Sequence, residues 1–332
     1  MKTTNKNKTL ENKIKNSPEI IRKYFNYIIV IKNRSYKTLR TYLYSIYDFL
    51  KFEIEHKKEN TFEGLSQQQQ FELLNRMITK DFLSSIDESD ILSYLFSLQQ
   101  NNNNATTRNN RLSAIKSLYR YLEQKENIPN NAMKIDSAKI DKKLPIYMTL
   151  EECKEVLSAV KENGNERDFC IFVLLMNCGM RVSELVSIDI KDISETTIKI
   201  MGKGAKERTI YLNNACINAI EEYKKKRLEC SVPILDKQAL FISETTGKRI
   251  TSRRVEQIVA KVMKECGLSD KGYSPHKLRH TAATLMYQNG TDVRVLKDIL
   301  GHESLSTTQI YTHINNQQLQ EAVNNNPLAD YK

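Results

Sequence analysis

The sequence predicts a mainly α protein of two domains, with a small antiparallel β-meander in the second. Three observations carry this expectation. The chain has 332 residues, about twice the usual length of one domain. Gly64 is the only glycine before residue 164 and the other nine lie from Gly164 onward, so the first part reads as nearly all helix. Apolar residues recur there at helical spacing, whereas short strand-like segments flank Gly202-Lys203-Gly204 in the second part.

Taken in order, residues 1–17 are basic and polar and read as a flexible tail. Ser17 and Pro18 read as an N-cap followed by proline at the first helical position. That helix runs through Ile28 to Ile31. Ser35 starts another, with Leu39, Tyr42, Leu43, Ile46, Phe49 and Leu50 on one face. Residues 62–85, with the run Gln67 to Gln70, form an added helix or loop. Two further helices are expected at about 87–100 and 105–125, joined through Asn101 to Asn104, and the first domain spans 18–128. Residues 129–146 lack periodicity, contain Pro129 and Pro145, and read as the linker.

The second domain, 147–332, opens on the capping box Thr149-Leu-Glu-Glu152. An apolar helix follows at about 166–178, then a helical turn at Val182 to Val186. Strands are expected at Thr197–Met201 and Arg208–Leu212. From Asn213 the pattern is helical again, with Ser274-Pro275 and Thr291 as caps and Gly301 as a stop. A short tail helix is expected at Asn315 to Val323.

Composition narrows the function. Hydrophobic residues make up 40% and charged residues 27%, which excludes disorder as the overall state. The longest apolar run, Phe169 to Met176, is too short to cross a membrane, and no apolar stretch follows the basic N-terminus as in a signal peptide. No membrane insertion is expected. The six cysteines show no CxxC and read as reduced, mostly buried thiols of a cytosolic protein. A net charge of +11 points to a polyanionic partner, nucleic acid before acidic membrane.

Four of the five histidines, His276, His280, His302 and His313, cluster late in the chain. His276 and His280 have the i, i+4 spacing of a zinc pair. Lys277 and Arg279 between them repel a divalent ion, so no metal is expected. His276 and Arg279, at i, i+3 near a helix N-terminus, suit phosphate instead. Lys203 lies in GKGAKER, which lacks the spacing of a nucleotide-binding loop and joins two strands. Neither ATP nor another cofactor is expected.

Four segments occur in order: NCGMRVSEL at 177–185, GKGAKERTI at 202–210, SPHKLRH at 274–280 and LGHESLSTTQIYTHI at 300–314. Together they resemble the tyrosine site-specific recombinases, the family of Xer recombinases and phage integrases. The resemblance covers roughly residues 18–315. It implies a helical core-binding domain followed by a mixed α/β catalytic domain. Carried over residue by residue, it implies that Arg181, Lys203, His276, Arg279, His302 and Tyr311 are catalytic, with Glu184 orienting Arg181 or its neighbours.

The implied reaction is attack of Tyr311 on a DNA phosphodiester, leaving a 3′-phosphotyrosine and a free 5′-hydroxyl. A phenol, with a pKa near about 10, needs a proton acceptor, for which His276 is the candidate. The arginines hold the charged oxygens of the transition state, His302 adds a hydrogen bond, and Lys203 protonates the leaving oxygen. The family also implies a double-stranded DNA recombination site as partner. It further implies a homotetramer or heterotetramer coupled through the C-terminal tail, with a second recombinase or a DNA translocase as further partners. The expected location is cytoplasmic and nucleoid-associated.

DNA contacts are expected from Arg108, Arg111, Lys116 and Arg120, which share a helix with the core-facing Leu112, Ile115, Leu118 and Leu122. Lys206, Arg208, Lys248, Arg249, Arg253 and Arg254 are the corresponding candidates in the second domain. The chain begins almost directly with the core-binding part, which points to an Xer-like or simple transposon recombinase. A type IB topoisomerase or telomere resolvase shares the chemistry and stands as the alternative. A DNA binder without catalysis is the reading from a different class.

Overall fold

Residues expected to be a mobile tail form the first helix, α1 (Asn5–Lys15), in the computed structural model of the chain, which describes residues 5–57, 61–140, 146–163, 165–201 and 207–301. Leu10 and Ile14, one helical turn apart, are buried against the core of the first unit. Burial of two apolar side chains supplies what local propensity lacks. The cap that follows is also shifted by one residue. Pro18, rather than Ser17, is the N-cap of α2 (Glu19–Val30). The Ser17 hydroxyl instead donates to the Lys13 carbonyl at 2.9 Å and accepts from the Tyr47 hydroxyl at 2.7 Å.

The chain divides into two compact units, Met1–Lys142 and Lys143–Lys332. In the first, α3 (Tyr36–Lys57) and α7 (Ala105–Glu126) pack against each other, with α6 (Glu88–Gln100) against both. Tyr24, Phe25, Phe49, Tyr94 and Tyr119 are the largest side chains of that core. The glutamine run is the first turn of a helix, α4 (Gln67–Met77), held by a capping box between Ser66 and Gln69. A short α5 (Lys80–Ser84) follows. Asn102 takes the left-handed conformation, φ 58°, in the turn before the cap at Asn104, a role asparagine fills more readily than most residues.

The segment expected as a linker, 129–146, is in part packed structure. A 3₁₀ turn covers Asn131–Lys134, and Ala132 and Ile135 are buried in the first unit's core. Asn109 brackets Ala138 through two 2.8 Å bonds, donating to its carbonyl and accepting from its N–H. The side chains therefore tie the chain to α7 as far as residue 138. Pro145 lies outside the described residues.

The second unit is built around α9 (Glu166–Cys178), which is buried on every face from Cys170 to Met176 and packed by α8 (Leu150–Glu162), α11 (Asn214–Leu228) and α13 (Pro275–Gln288). The Thr149–Glu152 capping box opens α8 as its sequence predicts. A helical turn, α10 (Val182–Leu185), follows α9 through Gly179, whose φ of 57° ends that helix. Strands β1 (Thr197–Met201) and β2 (Glu207–Tyr211) form a two-stranded antiparallel sheet in which Ile200 pairs with Arg208. Where a meander would add a third strand, a single isolated bridge joins Ile193 to Ile198.

The remaining helices are α12 (Ser252–Glu265) and α14 (Val293–Leu300). Asp292 rather than Thr291 caps α14, and Gly301 ends it in the left-handed conformation. The expected tail helix, Asn315 to Val323, falls outside the described residues. Among the described residues no helix is long and apolar enough to cross a membrane.

Candidate active site

The site is built on Glu184, at the end of the α10 turn. Its carboxylate lies in a shell of three guanidiniums. Oε1 accepts from Arg181 Nη1 at 2.8 Å, and Oε2 accepts from the Arg181 backbone N–H at 2.7 Å and from Arg208 Nη2 at 2.8 Å. Arg279 Nη1 stands 3.8 Å from the same Oε2. Side-chain exposure is 4% for Glu184 and Arg279, 15% for Arg208 and 37% for Arg181. Arg181 is thus the guanidinium of the three that opens most to solvent.

Burial raises the cost of charge on Glu184. The Arg181 N–H and the Arg208 and Arg181 guanidiniums outweigh it and hold the carboxyl below its ordinary value. With three cations to one anion, the cluster keeps a net positive charge suited to an anion such as phosphate.

The same arginines meet the end of α14. Arg208 Nη1 donates to the Ile299 carbonyl, Arg279 Nη2 to the Leu300 carbonyl at 2.6 Å, and Arg181 Nη2 to the Gly301 carbonyl at 3.2 Å. Three successive carbonyls that a helix C-terminus leaves without intrahelical partners are therefore satisfied by three cations, which also suits the negative end of the helix dipole. Glycine is required at 301. Besides its φ of 62°, a Cβ there would meet the Arg208 side chain at 3.1–3.2 Å. Gly179 is constrained in the same way, since a Cβ would lie 3.0 Å from Leu300 Cδ2.

Helix α13 contributes His276 and Arg279 as the sequence predicts, with Ser274 as N-cap and Pro275 at the first position. The His276 and His280 rings meet edge to face with Nε2 atoms 3.1 Å apart. Desolvation, then the charges of Arg279 and Arg181, lower the His276 pKa. Desolvation, then His276 and Arg279, bring His280 down to about 4. Both rings are neutral at pH 7, so His276 has a lone pair to accept a proton. Among the described residues no third metal-ligating side chain joins the two histidines.

The structure thus brings Arg181, Arg279 and His276 to one place with Glu184. Lys203, Lys206, His302, His313 and Tyr311 lie outside the described residues. Arg208, expected among the DNA contacts of the second domain, is largely buried, with its guanidinium bonded to Glu184 and to the Ile299 carbonyl of α14. The signal was strand alternation: Arg208 lies two residues before the buried Ile210, on the same face.

Other surface candidates divide similarly. Arg249 is not a free surface cation; it is paired with Asp189 and with Asp236 at 3.1 Å, and it donates to the carbonyls of Val186 and Ile188. Lys248, Arg253 and Arg254 are exposed. On α7, Lys116 donates to the Ile135 carbonyl and Arg108 to the Asn103 carbonyl at 2.7 Å, so both brace the first unit. Arg111 stands 3.6 Å from Asp48, and Arg120 is exposed. Tyr273, just before α13, is buried, and its hydroxyl donates to Glu152 at 3.0 Å.

Residues 147–318 match the model of the phage integrase family, and residues 68–126 match the phage integrase N-terminal SAM-like domain. A tyrosine recombinase XerC of Caldanaerobacter subterraneus subsp. tengcongensis is 41% identical over 317 residues, covering 94% of this chain and 88% of the relative. A tyrosine recombinase XerC of Staphylococcus aureus is 34% identical, covering 92% of this chain and 96% of the relative. Among solved structures, XerH site-specific recombinase bound to palindromic difH substrate shares the fold. Its TM-score is 0.62 at 24% identity, over 85% of this chain and 95% of that one.

Proposed function

The chain belongs to the phage integrase family and is a site-specific tyrosine recombinase, and on that premise we propose that Tyr311 cleaves a DNA strand to give a 3′-phosphotyrosine that a second 5′-hydroxyl then resolves. Arg181 and Arg279 hold the non-bridging oxygens of the scissile phosphate, where negative charge grows in the transition state. His276, neutral at pH 7, accepts the phenol proton. Lys203 protonates the 5′-oxygen as it leaves, and His302 adds a hydrogen bond to the phosphate. The phosphodiester energy is kept in the covalent intermediate, so the reaction as proposed consumes no ATP.

The observation that carries this reading is the arginine cluster on Glu184. It offers buried, oriented guanidiniums with one edge open beside a neutral imidazole. The matched relatives are recombinases, which leaves the topoisomerase and telomere-resolvase alternative unfavoured. A double-stranded recombination site is the substrate. The likeness to XerC relatives across nearly the whole chain favours resolution of chromosome or plasmid dimers over mobile-element integration. Assembly as a homotetramer or heterotetramer through the C-terminal tail, and action in the cytoplasm at the nucleoid, belong to the same proposal.

The test is covalent trapping on a nicked suicide duplex bearing Xer-type palindromic sites, without metal or ATP. The intact protein is expected to form a protein–DNA adduct, and Tyr311→Phe is expected to bind the duplex and form none. An adduct in the Tyr311→Phe variant would assign the nucleophile elsewhere.

A further inference from the structure

Two cysteines stand beside the arginine cluster without a part in the proposed reaction. Cys178 ends α9, three residues before Arg181, and Cys216 lies in the first turn of α11. Both are buried, and their sulfurs are 3.6 Å apart. We propose that Cys178 and Cys216 are a redox-modification site, oxidised by a hydroperoxide to a reversible disulfide at the base of the Arg181 turn.

The two thiols are chemically unequal. Cys216 is the third residue of α11, where its own N–H is bonded by Asn213 Oδ1 at 3.0 Å and the helix N-terminus favours negative charge. The hydrogen bond shared with the Cys178 sulfur lowers the Cys216 pKa; burial opposes this, and the Asn213 bond assists it. Cys178 is pushed up by that hydrogen bond and by burial. Cys216 is therefore the more acidic of the two and the better attacking sulfur, with Cys178 as the resolving thiol. A cavity of about 420 Å³, lined by Cys178 with Asn177, Tyr211, Met286, Val295 and Ile299, reaches the pair from the Cys178 side, with the Cys216 sulfur 3.6 Å behind.

The chemistry balances in two steps. The Cys216 thiolate attacks the peroxide oxygen, the O–O bond breaks, and the alkoxide or hydroxide that leaves takes a proton. The resulting sulfenic acid is then attacked by the Cys178 thiol, forming the S–S bond and releasing water. Two thiols lose two electrons and the peroxide gains them. In a reducing cytosol the dithiol is the resting form, and such a bond is transient.

Bond formation requires the sulfurs to close by roughly 1.5 Å. Cys178 cannot move alone, because Gly179 and Met180 behind it are buried and Gly179 is packed tightly on Leu300. The displacement passes into the turn that carries Arg181, and a misplacement of this order slows a positioned reaction by roughly 10- to 100-fold. This effect on rate rests on the proposed role of Arg181; the disulfide itself does not.

The full chain is treated with hydrogen peroxide, alkylated, digested without reduction and analysed by mass spectrometry, alongside Cys216→Ser and Cys178→Ser. The expected result is a linked peptide pair containing Cys178 and Cys216, absent from both variants and released by dithiothreitol. Adduct formation on suicide DNA slows with the link and recovers on reduction, and Cys216→Ser keeps its rate under peroxide. Two free thiols after oxidation of the half-buried Cys230, or linkage of either cysteine to Cys170, would overturn the proposal. Absence of adduct in the reduced, intact protein would count against the recombinase chemistry and leave the linked-peptide result to stand by itself.

Discussion

Glu53 in the first unit and Glu184 in the second are the most deeply buried glutamates among the described residues, and the two have opposite fates. Glu53 on α3 is fully buried in the first unit, and among the described residues neither carboxylate oxygen has a hydrogen-bond partner. Desolvation, then the nearby Asp90, push its pKa up to about 7, with Lys57 opposing. Glu184 in the second unit is buried as deeply and stays ionised, because three arginines surround it. Burial alone drives a carboxyl toward neutrality, and burial among cations makes it an anchor. The difference lies in what surrounds each carboxyl: acidic neighbours around Glu53 and guanidiniums around Glu184.

The largest effect expected from this contrast follows removal of the anchor. Glu184→Ala leaves the buried Arg279 and Arg208 without their counter-ion, which costs about 3–5 kcal/mol of stability in the second unit. Chemical denaturation monitored by hydrogen exchange in α9 and α13 measures it. A loss below about 1 kcal/mol would show that the arginines are held by the α14 carbonyls alone.

The pH dependence of the two units should run in opposite directions. Glu53 has a folded pKa raised from 4.5 to about 7, so its stabilising contribution is complete below 4.5 and is lost as pH rises to about 7. The loss is on the order of 3 kcal/mol in the first unit. Glu184 is shifted downward, so its contribution is present above 4.5 and is lost as pH falls below that value. Hydrogen exchange resolves the units within the intact chain: amides of α3 and α7 should lose stability as pH rises from 4.5 to about 7, and those of α9 should not follow the same course. Glu53→Gln should remove the slope in α3 and α7, and a slope that survived it would assign the effect to another group.

A smaller effect concerns His276. Its pKa lies below the ordinary 6.5 through desolvation and the charges of Arg279 and Arg181. The imidazole therefore keeps its accepting lone pair as pH falls through 6.5 and loses it only lower. The acid limb of the single-turnover cleavage rate is expected below pH 6.5, and a limb above 6.5 would remove His276 as the base.

Much of this fold is legible in sequence, and the failures share a cause. Caps with a single strong signal, such as Thr149 with Glu152 or Ser274 with Pro275, are read correctly because the interaction is local. Helix α1 is missed because Leu10 and Ile14 form a face only against residues far along the chain. Ser17 and Thr291 lose their expected capping roles because a neighbour, Pro18 or Asp292, takes the position, and Tyr47 claims the Ser17 hydroxyl. The positions of Arg181, His276 and Arg279 follow from motif spacing. The part played by Arg208 and by the carbonyls of Ile299, Leu300 and Gly301 does not, because it depends on how β2 and the end of α14 meet, and backbone acceptors leave no mark in residue identity.

The central claim is that Glu184 organises the arginines that hold the phosphate. Glu184→Gln tests it most directly, because the amide keeps the volume and one acceptor oxygen while removing the charge. Single-turnover cleavage of suicide DNA and DNA affinity are measured on the folded variant. The account predicts a cleavage rate lowered by roughly 10²–10³ with affinity retained. A folded variant that cleaves at the normal rate would contradict it and leave Glu184 as a structural ion pair.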